Sequence, residues 1–326
     1  MQQLFTFFSS PRRRLVLRPC ALDKDRLLSH IPRVLDYKLT NLHETLRRFG
    51  SSLIAYSGGV DSVFLAFVAN EVLPGRSVAV IADSPSLPRR ELSEALEIAA
   101  RFNLSVRVVK TSEFDNFDYK SNPLNRCYFC KHELFTELVP LARHLGLAVI
   151  AYGENASDTG DFRPGAKAAS EFQIRAPLKE VGLTKAEIRA LSARFGLPTT
   201  DKPQMACLSS RVPHGELVTE RKLQLIEAAE NRLRDLGFFD VRVRHHELSG
   251  VSFLSPPNTP SRVNNLAAPI ERPALARIEV GVSELPRLLG AGIAARIAED
   301  LKRIGYAHVT LDLQGYRRGG ANDLVP

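Results

Sequence analysis

Apolar positions Leu39, Leu42 and Leu46 recur at the spacing of one helix face, and Gly50 stops the pattern, which predicts a helix over 36–49. The next apolar run is short and continuous. Residues 52–56 read Ser-Leu-Ile-Ala-Tyr, as a buried strand does, and after a glycine-containing loop a helical pattern covers 63–72. The alternation continues with a strand at 77–82, then a helix at 89–102 that puts Leu92, Ala95, Leu96, Ala99 and Phe102 on one face. A strand at 104–109, a helix at 131–145 and a strand at 147–152 follow. Strands separated by helices return parallel to one another, so the pattern predicts an α/β fold with a doubly wound parallel sheet covered by helices.

Downstream, Thr184 and Glu187 form a capping-box pattern that opens a helix ending near Phe195-Gly196-Leu197-Pro198. A loop over 199–216 leads to a helix carrying Leu223, Ile226, Ala229, Leu233 and Leu236. Strands at 240–244 and 276–280, a helix at 284–304 and a strand at 308–313 complete a smaller α+β domain. Between those first two strands, residues 249–274 hold Pro256, Pro257, Pro260, Pro269 and Pro273 without either period, the mark of a mobile surface loop. The resulting division is a loosely ordered leader over 1–35, an α/β domain over 36–200 and the smaller domain over 201–326.

Composition narrows the classes. The 326 residues are 44% hydrophobic and 25% charged, which excludes a disordered or fibrous chain. No run approaches the roughly 18 apolar residues of a membrane span. The net charge is +8, but Arg12, Arg13, Arg14 and Arg18 precede the first acidic residue, so the chain after Cys20 carries only +4. That remainder suits a small anionic substrate as well as a nucleic acid. Four cysteines in this length argue against a disulfide framework and for a reducing, cytoplasmic setting in which thiols serve as ligands or nucleophiles.

The loop between the first strand and its helix reads Ser57-Gly58-Gly59-Val60-Asp61-Ser62. Such a loop aims backbone N–H groups and the positive helix end at one point, where a phosphate fits. It is neither a Walker A sequence nor a G-x-G-x-x-G fingerprint. Asp83-Ser84 comes just after the second strand, where such folds contact a nucleotide, although a strand can end in Asp-Ser for the sake of its turn alone. Cys127-Tyr128-Phe129-Cys130 and the distant Cys207 make a three-thiol set. Spacing leaves open a [4Fe–4S] cluster with one open iron, a zinc site completed by His132, a dithiol plus a lone nucleophile, or unligated thiols. Arg211, and Arg242 with Arg244 two apart on one strand, suit carboxylates and phosphates, although an exposed strand face would show the same spacing. Glu230 and Glu279 lie on neighbouring elements, and His245 and His246 read as structural.

The glycine loop resembles the pyrophosphate loop of the ATP pyrophosphatase class. Ser84-Pro85-Ser86-Leu87-Pro88, Arg126-Cys127-Tyr128-Phe129-Cys130-Lys131, Asp161-Phe162-Arg163-Pro164-Gly165, the run from Lys202 to Arg211, Arg242 to His246, Ala276-Arg277-Ile278-Glu279 and Leu311-Asp312-Leu313-Gln314-Gly315-Tyr316-Arg317 add to it. Together the chain from about Leu39 to Asp323 resembles the LarE family of ATP-dependent sulfur transferases, which help build a nickel-pincer nucleotide. The resemblance implies that Ser57, Gly58, Gly59, Asp61, Ser62, Asp83 and Ser84 hold ATP with Mg2+, and that a carboxylate of a pyridinium biscarboxylate mononucleotide is adenylated with loss of pyrophosphate. It implies Cys207 as sulfur donor, Cys127, Cys130 and Cys207 as ligands of a [4Fe–4S] cluster, and Ser210, Arg211, Arg242, Arg244, Glu230 and Glu279 as the substrate side, the two glutamates near a divalent cation. It further implies a homo-oligomer and nickel-inserting partner proteins, with neither a membrane nor a nucleic acid as partner.

Rival readings share parts of this set. A transfer-RNA thiolase also joins such a loop to three cysteines, but the chain shows no interleaved aromatic and basic residues for RNA. An ammonia-fed synthetase has no use for the thiols, and a nucleotide-sensing or metal-storage module predicts ATP binding without pyrophosphate release.

Overall fold

The computed structural model describes residues 24–158, 164–203, 206–248, 272–290 and 292–317. Helix α1 (Lys24–Phe49) precedes strand β1 (Ser52–Ala55), helix α2 (Val60–Val72), strand β2 (Ser77–Asp83), helix α3 (Arg89–Arg101) and strand β3 (Val106–Lys110). The short helix α4 (Phe117–Lys120) then leads to α5 (Arg126–His144), β4 (Val149–Tyr152), α6 (Pro164–Glu171), α7 (Pro177–Glu180) and α8 (Lys185–Arg194). The sheet is four-stranded and parallel in the order β3-β2-β1-β4. Leu53 and Ile54 of β1 face opposite ways, Ile54 into a core with α1, α2, α3 and α8, and Leu53 into one with α5 and α6. Helices therefore cover both faces, as the alternating pattern predicts. The order reverses between β1 and β4, the switch point outside whose carboxyl ends ligands bind in open α/β sheets.

The smaller domain has helix α9 (Glu220–Asp235), strands β5 (Val241–Glu247) and β6 (Ala274–Val280), helices α10 (Leu285–Leu288) and α11 (Ile293–Ile304), and strand β7 (His308–Leu311). Its sheet runs β5-β6-β7, antiparallel then parallel. Val241 and Val243 pack with α9 and α11, so Arg242, Arg244 and His246 take the other face. Three sequence expectations change. The helix expected over 284–304 is split, with Gly292 at φ +82° opening α11, a conformation that breaks a continuous helix. The helix expected from 131 begins at Arg126, so both Cys127 and Cys130 ride on its first turns. Helix α1 also begins ahead of the expected domain start at residue 36. The Pro-rich insertion, for residues 249–271, and the leader, for residues 1–23, lie outside the described residues.

Candidate active site

The glycine loop leaves β1 at the carboxyl edge of the parallel sheet and enters α2. Gly58 has φ +71°, and a Cβ there would stand 2.7 Å from that of Ala95, so only glycine fits. Ser62 Oγ accepts from Ser57 N at 3.1 Å, pairs with Ser57 Oγ at 3.0 Å and donates to Gly59 O at 3.1 Å, closing the loop on itself. No side chain caps the first turn of α2. Gly153, just past β4, lies against the loop, where a Cβ would meet Ser62 N at 2.9 Å. Asp61 pairs with Lys185 at 2.7 Å, and its Oδ1 is buried without a hydrogen-bond partner. Burial raises the Asp61 pKa, and Lys185 opposes that rise. An uncapped helix end, a bare backbone and an unfilled carboxylate oxygen match the needs of a triphosphate and its divalent cation. Asp83 is ion-paired with Arg89, which also donates to Ser84 O at 2.7 Å, while the buried Ser84 Oγ bonds Ser86 Oγ at 2.7 Å. Both thus shape the loop after β2.

That loop carries the link to the thiols, because Leu208 N donates to Ser86 O at 2.8 Å, placing Cys207 directly beside the loop that leaves β2. From the other side, buried Arg126 donates to Asn122 Oδ1, to Ser209 O at 2.9 Å and toward Cys207 Sγ at 4.0 Å. Asn122, at φ +56°, donates to Val212 O at 3.1 Å and Pro213 O at 2.6 Å, and Tyr119 Oη meets Ser209 Oγ at 2.7 Å. The start of α5 therefore holds the Cys207 turn. Lys131 lies over the Tyr152 ring at 4.4 Å, so the start of α5 also faces the carboxyl end of β4.

Cys127 is exposed, and Cys130 and Cys207 are half-buried. Desolvation raises the Cys127 pKa, with Cys207 adding to the rise and Arg126 and Lys131 opposing it. Cys130 is pushed well above the thiol range by desolvation, then by Glu113, Cys207 and Cys127. The rises at Cys127 and Cys130 both carry a contribution from Cys207, so the three thiols share one electrostatic neighbourhood. They are not drawn into a ligating set: among the described residues no group of three or more His, Cys, Asp or Glu side chains could hold a metal ion. His132 packs its ring on Phe172 at 4.9 Å.

Beyond Cys207 the site is built from ion pairs. Arg211 and Glu230 are wholly buried and joined at 2.8 Å, and Arg211 also donates to Ala206 O at 2.6 Å and Cys207 O at 2.9 Å. Burial pushes the Glu230 pKa up, but Arg211 and Arg234 hold it below the usual carboxylate range. Glu230 also accepts from Val243 N at 3.1 Å, capping the edge strand β5. Arg244 meets Glu279 through two bonds of 2.9 and 3.0 Å and donates to Ser210 O at 2.8 Å. Arg242 stacks over Tyr316 at 4.8 Å. Arg242 and Arg244 are 5% and 8% exposed, so this is no solvated strand face. The structure brings Cys127, Cys130, Cys207, Ser210 and the two ion pairs together beside the carboxyl edge of the sheet. Arg211 and Glu230 have no surface open to a ligand here. The sequence pattern gives no role to Arg126, Asn122, Tyr119 or Glu113; the Asn122-Pro123 step is a turn signal that could have marked the turn before α5.

No protein-family model matches the chain. A Lactiplantibacillus plantarum protein, pyridinium-3,5-bisthiocarboxylic acid mononucleotide synthase, is 30% identical over 289 residues, which cover 88% of this chain and 95% of that protein. The chain belongs to the LarE family. An uncharacterised protein of Synechocystis sp. is 39% identical over 292 residues, 90% of this LarE-family chain and 99% of the relative. An uncharacterised protein of Methanocaldococcus jannaschii is 28% identical over 195 residues, covering 60% of this chain and 74% of its own length. Among the described residues no helix is long and apolar enough to cross a membrane.

Proposed function

We propose that the protein is an ATP-dependent sulfur transferase that adenylates a carboxylate of pyridinium-3,5-biscarboxylate mononucleotide and converts it to a thiocarboxylate. The observation that carries this reading is the shared edge: the glycine loop leaves β1 there, and the Cys207 turn is bonded to the loop leaving the adjacent β2. In the proposed first step a carboxylate oxygen attacks the α-phosphorus of ATP, the bond to the bridging oxygen breaks, and pyrophosphate leaves. Ser57, Gly58, Gly59 and Ser62 hold the departing phosphates, and Asp61 Oδ1 takes the Mg2+. The acyl carbon is then electrophilic, and a sulfur nucleophile from the thiol corner displaces AMP, which leaves with the electron pair of the broken C–O bond. Cys127, Cys130 and Cys207 would have to draw together to hold a [4Fe–4S] cluster, which would supply a non-protein sulfide as that nucleophile. Arg126 orients Cys207, and Arg211 with Glu230 fixes its turn from behind. The setting is the cytoplasm, the assembly a homo-oligomer, and nickel-inserting proteins take the product.

The test measures pyrophosphate and thiocarboxylate with ATP and the biscarboxylate mononucleotide. Pyrophosphate release should depend on that nucleotide, and absent or nucleotide-independent release removes the reading. Cys207→Ala should keep pyrophosphate release and lose thiocarboxylate. Iron and acid-labile sulfide should accompany the anaerobically purified protein, and zinc in their place removes the cluster.

A further inference from the structure

Glu113 opens the single helical turn over 113–115 that follows β3, and it is 2% exposed. Its Oε1 accepts from Ser86 Oγ at 3.4 Å, and its Oε2 is buried without a hydrogen-bond partner. Among the described residues no cation pairs with it. Arg126, the guanidinium of this corner, gives its bonds to Asn122 Oδ1, Ser209 O and Cys207 Sγ instead. A carboxylate out of water needs either a counter-charge or a full set of donors. Glu113 has neither, which leaves a place for a positive charge brought by a ligand.

Its surroundings tie Glu113 to the sulfur. Ser86 binds Glu113 through Oγ and the Cys207 turn through its carbonyl oxygen, which accepts from Leu208 N at 2.8 Å. Phe114, next in the chain, packs against the cluster of Leu208, Val212 and Val218. Desolvation first, then Glu113, push the Cys130 pKa up, so the field of Glu113 reaches the thiols. Cys127 is exposed and Cys130 and Cys207 are half-buried, so a ligand can approach that corner. We propose that Glu113 supplies the counter-charge for the cationic pyridinium ring of the substrate, as a positioning residue that favours a cationic ring over a neutral one of the same outline. The inference deepens the substrate reading above and rests on it. In a pyridinium biscarboxylate the ring nitrogen lies only a few bonds from each carboxyl carbon. A carboxyl that comes within reach of the sulfur therefore brings the positive charge to the same corner. The attraction acts through space, so it requires no contact with Glu113, and it is strongest where water is scarce.

The experiment titrates the full-length protein with the biscarboxylate mononucleotide and with its borohydride-reduced dihydropyridine form, wild type and variants being purified alike and ATP affinity serving as control. The two forms share carboxylates, ribose and phosphate and differ in ring charge, so the ratio of their affinities reads that charge. Wild type should bind the cationic form about tenfold more tightly. Glu113→Gln should lose this preference by weakening the cationic form, and Glu113→Asp, which keeps the charge, should retain most of it. A Glu113→Gln protein that binds both forms more weakly by the same factor has lost packing and not charge, and a preference that survives in it comes from other groups; either result overturns the proposal. Should Glu113→Gln fail to fold, Glu113→Ala and the wild-type ratio decide the question by the same two titrations, equal wild-type affinities overturning the proposal outright. Equal affinities together with pyrophosphate release that depends on the mononucleotide leave the sulfur-transfer reading standing and remove only this inference. A wild type that binds neither form removes the substrate reading and this inference with it.

Discussion

Around the glycine loop the contacts are made by backbone and hydroxyls: Ser57, Gly59 and Ser62 close the loop among themselves, and Gly58 and Gly153 leave room where a Cβ would collide. Around Cys207 they are made by charge, with Arg211–Glu230 and Arg244–Glu279 buried and joined through two bonds each. The first region is limited by volume, since little charge stands to be unbalanced there apart from Asp61 and Lys185. The second is limited by charge balance, because removing one partner leaves the other stranded away from water. In the reaction proposed above, the loop has to accept a large anion against bare backbone, whereas Cys207 has to be held in one place while the groups around it change.

Glu230→Gln should test the charge-built half most severely, because it leaves Arg211 buried without its counter-ion. The expected cost is about 3–5 kcal/mol in denaturant unfolding, with faster alkylation of Cys207 as its turn loosens. Gly58→Ala should cost about 3 kcal/mol and abolish ATP binding, combining the collision with Ala95 and an unfavourable φ. Pairing it with Ala95→Gly should recover the collision share only, leaving about 1 kcal/mol from the backbone, whereas full recovery would show that volume alone governs the loop.

A pH series separates the regions further. Burial, with smaller effects from Lys222 and His246, lowers the His245 pKa from 6.5 to about 4, and its ring lies near Tyr306 Oη at 3.4 Å. The unfolded chain therefore binds the proton more readily, so this contribution is complete above pH 6.5 and is lost as pH falls toward 4. Acid should destabilise the smaller domain by on the order of 2 kcal/mol across that window, and His245→Gln should flatten the curve there. At the small end, Arg90→Ala removes a half-exposed pair with Asp235 that spans the two domains, and should change stability by under about 0.5 kcal/mol. A larger loss would mean that the domains are coupled by charge at their surface as well as at Cys207.

Much of the first region was legible because it is local. A buried strand, a glycine loop and a helix follow one another within residues 52–72, and their geometry depends on neighbours in the chain. The capping box of Thr184 and Glu187 was legible for the same reason, and it forms as expected. Arg126 opens the Arg126-Cys127-Tyr128-Phe129-Cys130 motif, but its role depends on Ser209 and Cys207, some eighty residues away. Arg211 and Glu230 read as candidates for anions and cations, and nothing in their spacing told that each would take up the other.

Period, turn residues and glycines by themselves determined the parallel sheet, the loop at its edge and the presence of three thiols, since these follow from the conformations that short stretches of backbone can adopt. Only the tertiary structure decided which charges neutralise one another and that Cys207 stands beside Arg126 and the loop after β2. Such partners are chosen by burial: once a guanidinium leaves water, it must find whatever acceptor the packed chain has brought within reach.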